Sequence, residues 1–310
     1  MAEPKNTPEQ NIRQKLTNEK IRLAEQLTSI TTANRTEYTK IIKYLLDKSR
    51  NRMLEIVKKW AKAEISKEVQ GGIAQAQKKT PAAKRKPLPQ RLITELVQRK
   101  ANKMFVQITD NANQTYKTVW KSINRDITRA STETSIKDLK ANIATKLADK
   151  GFLTIQYSNG VNMPLDAYAE MVARSARTET FNTAAIEYAK QSTDLVECSI
   201  IFPTCDICAK FQGRVYSVSG KDKRYPSLYE TALANGFELI HPNCRHQFLP
   251  YHEELDEPRE RSTKQSNSNR PFADNRTERN RKSYQDWQAL NAKRAEKRRD
   301  KLEKKLDDNA

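Results

Sequence analysis

The stretch Leu195 to Val218, LVECSIIFPTCDICAKFQGRVYSV, read together with His241 to His252, HPNCRHQFLPYH, decides what kind of protein this is. LVECSIIF is β-branched and strand-like, and so is GRVYSV from Gly213 to Val218. Between them stands a Cys-x-x-Cys pair, Cys205 and Cys208, and after thirty-two residues His241 and Cys244 repeat the spacing as His-x-x-Cys. All four cysteines and all three histidines of the 310-residue chain fall between Cys198 and His252. Chance would scatter them. Two such knuckles can each present two ligands to one tetrahedral ion, a Cys3His pattern suited to a single structural zinc, with Cys198 and His246 as spare donors. Two other readings of the same residues stay open: reduced, metal-free thiols packed as small hydrophobes, and a disulfide formed in an assembled particle.

Working outward, Phe152 to Tyr157 alternates at period two, Asn159-Gly160 is a hairpin dipeptide, and Val161 to Met163 can return as a second strand. Pro164 suits the first turn of a helix running to about Gln191. Ser135 with Asp138 resembles a capping box for a shorter helix that stops near Gly151. Residues 131–255 therefore read as a small α+β domain.

Upstream lie two long helices. From Arg35 apolar residues fall by threes and fours through Ile42, Leu46, Met53, Val57, Trp60 and Ile65, and Gly71-Gly72 is expected to end that helix. Residues 72–90 hold three prolines and a Lys-Arg-Lys cluster and read as an exposed basic linker. A second helix begins near Leu88 and carries Leu92, Leu96, Met104, Ile108, Tyr116, Trp120 and Ile123 at the same spacing. Helices of this length need each other or a neighbouring subunit, so self-association is one expectation. After Pro250 the polar, basic residues 256–310 read as a disordered tail, with a charged helix over about 281–306 that forms when packed or bound. The expected organisation is α+β: a helical region (1–130), the small domain (131–255) with its Cys/His knuckle, and the charged tail.

Composition narrows the function. Hydrophobic residues are 36%, charged residues 31% and glycines only 7, which argues against a compact Rossmann or barrel enzyme. No apolar run approaches the ~20 residues that cross a bilayer, and the first residues lack the apolar core of a secretory signal, so synthesis in a cytoplasm without membrane insertion is expected. The net charge is +19, and residues 1–110 hold 24 Lys and Arg against 11 Asp and Glu. Such an excess attracts a polyanion, and Lys78, Lys79, Lys84, Arg85 and Lys86 are the candidate contacts to double-stranded DNA without sequence preference. A Lys-rich helical face that is merely solvated explains any one cluster equally well.

Three segments then resemble a known family: IQYSNGVNMPLDAYAEMVARSARTET (Ile155 to Thr180), CDICAKFQGRVYSVSG (Cys205 to Gly220) and YPSLYETALANGFELIHPNCRHQFLPY (Tyr225 to Tyr251). Together they are similar to the phage minor capsid protein 2 family and to the Mu F-like minor head proteins, over about residues 150–252. The resemblance implies a structural, non-enzymatic protein of a tailed bacteriophage head, assembled in the host cytoplasm and carried in the virion. It also implies portal, coat or scaffold proteins as partners, and it offers packaged DNA to the positive charge. Members of the family often lack the first cysteine of the pair, here Cys205, and carry a histidine on the preceding strand, roughly where Cys198 stands.

Two other functional classes compete. His241 to His246 beside a Cys-x-x-Cys is loosely like a metal-dependent His-Asn-His nuclease, although acidic metal partners are missing from the right places. Charge alone would suit a DNA-binding regulator, without any recognition-helix spacing to support it. Arg174, Arg177 and Glu179 form either a surface ion-pair group or a means for that helix to hold the cysteine knuckle. Trp60, Trp120 and Trp287 read as core or partner-facing anchors.

Overall fold

The structure is a computed structural model that describes residues 7–30, 35–129, 154–156, 162–236, 238–255 and 272–307. Three N-terminal helices come first: α1 (Pro8–Thr28), α2 (Arg35–Lys79) and α3 (Gln90–Arg129). A hairpin of β1 (Thr154–Gln156) and β2 (Asn162–Pro164) leads into α4 (Leu165–Ala189). Strands β3 (Leu195–Cys198), β4 (Val215–Ser217) and β5 (Phe248–Pro250) follow, and α5 (Glu278–Asp307) closes the chain. The fold is α+β, mostly helical with a small antiparallel sheet. The helix expected over 135–150 and the turn at Asn159-Gly160 lie outside the described residues.

Packing divides the chain into two compact units that do not follow chain order: 1–64 with 98–174, and 65–97 with 175–310. Each of α2, α3 and α4 contributes to both. In the first unit the apolar stripes are buried by other helices of the same chain: Ile12 and Leu16 of α1, Ile42, Leu46 and Met53 of α2, and Met104 and Ile108 of α3 are at most 1% exposed. Sequence periodicity left open whether a neighbouring subunit would be needed to cover these stripes. The positions named are buried within the chain, and α1, which the periodic reading from Arg35 did not include, adds a buried stripe of its own to the unit. That helix starts on a capping box, Thr7 with Gln10, and its Pro8 carbonyl accepts the Trp60 indole N–H at 3.0 Å. Asp166 of α4 anchors the same unit, accepting from Thr17 at 3.0 Å and pairing with Lys20 and Arg13.

In the second unit, α2 does not stop at Gly71-Gly72 but continues to Lys79, so the basic connection shrinks to residues 80–89. The glycine serves a different purpose. A Cβ at Gly72 would sit 2.4 Å from the Phe181 carbonyl oxygen, so α2 and α4 approach here as closely as only a bare backbone allows. Val69, Ile73, Leu96, Phe181 and Tyr188 form the core around that contact. Beside it the sheet has order β4-β3-β5, with Val196 opposite Tyr216 and Pro250, and Cys198 opposite Phe248. Within the stretch read as a disordered or helical tail, α5 is helical from Glu278 and spans the charged helix read over about 281–306, and Phe272 packs on the core of Val196, Tyr216 and Phe248. A polar segment is docked here by four residues, Phe272, Asp274, Asn275 and Arg276.

Candidate metal centre

The sheet ends deliver the site. Cys198 closes β3, the loop to β4 carries Cys205 and then Cys208, which opens a short 3-10 turn, and the chain entering β5 carries His241, Cys244 and His246. His241 to Cys244 is a hydrogen-bonded turn (Cys244 N to His241 O, 3.1 Å) with Pro242 second and Asn243 at φ 68° third. That is type II turn chemistry: proline presets one position and asparagine tolerates the left-handed one. The Asn243 amide donates to Ser175 Oγ of α4 at 2.9 Å, which fixes the turn against the helix.

Five donors converge. His241 Nε2 lies 3.2 Å from Cys205 Sγ and 3.0 Å from Cys208 Sγ; Cys208 and Cys244 sulfurs are 3.6 Å apart; and His246 Nδ1 is 3.5 Å from Cys244 Sγ. They fall into two overlapping triads that share Cys208, namely Cys205/Cys208/His241 and Cys208/Cys244/His246, with donor atoms in each within 4.8 Å of one another. A tetrahedral zinc with ordinary bond lengths would hold sulfurs about 3.8 Å apart and sulfur and nitrogen about 3.6 Å apart. The observed spacings are within reach of that, so these Cys/His groups could hold a metal ion. Cys198 belongs to neither triad: it is fully buried, burial pushes its thiol well above the ordinary 9.0, and it serves as core.

The surroundings fit the donors for the task. Backbone amides of Cys208 and His246 point at the Cys205 and Cys244 sulfurs, each at 3.4 Å, and so stabilise thiolate at both. His241 Nδ1 lies 2.6 Å from the Pro242 carbonyl, so that nitrogen carries a proton and Nε2 is the one that faces the sulfurs. For His246 the tautomer follows from Gln212. Its Oε1 already accepts from the Ile201 amide at 3.2 Å and its Nε2 donates to Asn275 Oδ1 at 3.1 Å, so the His246 Nε2 facing that oxygen at 3.2 Å must donate. Nδ1 is thereby left facing Cys244.

Charge settles accordingly. The Cys208 side chain, and after it His241 and the Cys208 backbone amide, hold Cys205 down at about 3, against the opposing push of burial. The Cys208 side chain likewise holds Cys244 down at about 4, and the Cys205 sulfur raises His241 to about 9. Cys208 is raised, chiefly because it shares its proton with those two sulfurs. Two of the three thiols, Cys205 and Cys244, are thus held as thiolates, the form a metal requires.

Helix α4 also touches the knuckle through side chains that the sequence reading did not single out. Arg177 pairs with Glu68 of α2 and Arg174 with Glu170 of its own helix. The grip comes from Ser175 and from Asn182, a fully buried carboxamide whose Nδ2 donates to the Glu238 and His246 carbonyls at 3.0 and 3.1 Å and whose Oδ1 accepts the Phe248 amide at 3.1 Å. Asn182, Gln212 and Asn275 have no sequence spacing that announces them.

The DNA candidates sit elsewhere, at the end of α2 (Lys78, Lys79) and just beyond it (Lys84, Arg85, Lys86), and all five are exposed. Two of them have work within the chain: Lys84 pairs with Glu254 at 2.5 Å and Arg85 Nε donates to the Thr80 carbonyl at 2.9 Å. Of the tryptophans, Trp60 is buried and Trp287 is 37% exposed. No helix of the described residues is long and apolar enough to cross a membrane.

Comparison with known proteins extends the resemblance well past the three segments. No curated protein and no solved structure matches the chain. The family model for phage minor capsid protein 2 matches residues 11–310, taking in the long helices and the C-terminal segment as well as the Cys/His region. A match of that extent makes this a structural protein of a phage head, carried in the virion: the chain belongs to the phage minor capsid protein 2 family.

Proposed function

We propose that this head protein joins the portal or coat oligomer during head assembly, and that Cys205, Cys208, Cys244 and His241 hold one structural zinc ion that pins its small domain. The single observation behind the role is the family match over residues 11–310. The metal reading rests on two triads that share Cys208, one with His241 and Cys205 and one with Cys244 and His246, and on the His241 Nε2 that faces two of the sulfurs. Bound zinc would supply a cross-link between the β3–β4 loop and the turn before β5, in a region whose apolar core is small. His246, hydrogen-bonded through Nε2 and facing Cys244 through Nδ1, either stands behind that set or substitutes for His241 in it. The exposed basic residues at the end of α2, within an N-terminal third that carries most of the excess charge, support non-specific contact with packaged DNA.

The nuclease alternative gains nothing from the geometry. Among the described residues neither metal-capable group contains a carboxylate, and His241 Nε2 faces sulfurs rather than open water. Co-expression with the portal, coat and scaffold proteins of the same phage tests the role: the protein should be recovered in procapsids with stoichiometric zinc. Absence from procapsids, together with divalent-metal DNA cleavage that His241→Ala abolishes, would overturn it in favour of the nuclease.

A further inference from the structure

The segment Phe272 to Arg276 is seated on the loop that carries the cysteines. The Phe272 ring lies 5.3 Å from that of Phe211 and 6.4 Å from that of Tyr216, and the Arg214 guanidinium covers it at 3.9 Å. Asn275 pairs with Gln212 in both directions, its Nδ2 donating to the Gln212 carbonyl at 2.7 Å and its Oδ1 accepting from Gln212 Nε2 at 3.1 Å. Arg276 has a side chain only 3% exposed. It donates through Nη1 to the Thr204 carbonyl at 2.9 Å and through Nη2 to the Asp206 carboxylate, so it straps both neighbours of Cys205. Asp274 completes the clamp, accepting from the same guanidinium at 2.7 and 3.0 Å.

Gln212 is the joint between this arm and the donors, since its side-chain oxygen accepts from His246, whose other nitrogen faces Cys244. The loop from Thr204 to Gln212 has one 3-10 turn and no strand pairing of its own, so it is ordered by whatever grips it. The donor cluster grips one side and the arm the other. Both act on the same loop, and each lowers the ordering cost the other must meet.

We infer that metal binding at the Cys/His centre and docking of residues 272–276 are cooperative, so that metal occupancy decides whether helix α5 is held on the domain or released from it. This rests on the zinc reading above. Linkage requires the coupling to be equal in both directions: the factor by which the arm tightens zinc is the factor by which zinc tightens the arm.

The test uses the full chain with zinc as the probe. Affinity is measured by chelator competition for the wild type, Asn275→Ala, Arg276→Ala and the exposed control Lys282→Ala, and hydrogen exchange over 272–294 is followed with and without chelator. Partners of metal ligands commonly contribute 10–100-fold to affinity, and these lie one step further out, so about tenfold weaker zinc is expected for the two arm variants and none for the control. Chelation should speed exchange of the arm by a similar factor. If wild-type protein binds no zinc, the zinc reading fails and the coupling with it. If zinc binds equally to all four proteins and chelation leaves the arm's exchange unchanged, the coupling is wrong while the zinc reading stands. If chelation unfolds the domain outright, the affinities of the variants decide alone.

Discussion

The first helical unit and the cysteine-bearing part of the second are stabilised by different chemistry. In the former, aliphatic side chains at helical spacing are buried to 0–1% along α1, α2 and α3, and any one of them is a replaceable part of a long stripe. In the latter a small sheet of three- and four-residue strands is surrounded by sulfur, imidazole and carboxamide groups, each bound to particular partners. Stripes degrade gradually, because packing defects are local; a convergent polar cluster fails together, because each member satisfies the next.

The sharpest break of that contrast comes at Cys244, whose sulfur contacts Cys208 and His246. If zinc is held there, Cys244→Ser should abolish metal binding and the cooperative unfolding of the second unit, since structural zinc is worth on the order of 10 kcal/mol in small domains. Metal analysis and calorimetry of the full chain check it; retention of both metal and transition would equalise the two regions. Leu46→Ala, at a fully buried position of α2, should cost about 2–5 kcal/mol and leave zinc content unchanged, read by denaturant unfolding.

Asp166 gives a smaller effect with a definite pH sign. Burial pushes its carboxyl up, but Lys20, Arg13 and the Thr17 hydroxyl more than offset this and hold it below its ordinary 3.8. A lowered folded-state pKa means the contribution is complete above 3.8 and fades as pH falls through the lower folded value. Asp166→Asn should therefore destabilise by about 1–3 kcal/mol at neutral pH, discounted for the partly exposed partners, and the difference from wild type should close in acid. A gap that persists at low pH would show that shape, not charge, matters there. Smallest of all, Lys84→Ala removes an ion pair that is half exposed on both sides and should shift stability by less than about 0.5 kcal/mol. If Lys84 contacts DNA, the same variant weakens non-specific binding and flattens its salt dependence by about one charge.

Legibility followed the same division. The stripes of α2 and α3 were open to reading from period alone, as were the two cysteine pairs from their spacing and clustering. Helix α1 was equally readable from Thr7-Pro8-Glu9-Gln10 and the spacing of Ile12, Leu16, Leu23 and Leu27, yet a reading that began at Arg35 passed over it. The end of α2 was misplaced because Gly71-Gly72 looks like a helix terminator, whereas Gly72 answers a tertiary approach that no local pattern encodes. Strand β5 is only three residues long, and no hairpin dipeptide beside it announces it as Asn159-Gly160 announces β2. At the centre, residue types named the donors, but Asn182, Gln212 and the arm act through hydrogen bonds between segments distant in sequence.

Gly72 also bears on how such a protein drifts through generations. A glycine inside a helix carries a penalty of roughly 0.5–1 kcal/mol against alanine, so ordinary mutation should replace it readily. Any replacement, however, displaces the carbonyl of Phe181, and the next residue is Asn182, which holds the backbone of His246 and Phe248. A methyl group gained on one helix is thus transmitted, through two consecutive residues of another, to the loop of the cysteine and histidine donors. Descendants that change position 72 are expected to carry compensating changes around 181 and 182, and an inherited pair of that kind would record the helix contact in sequence.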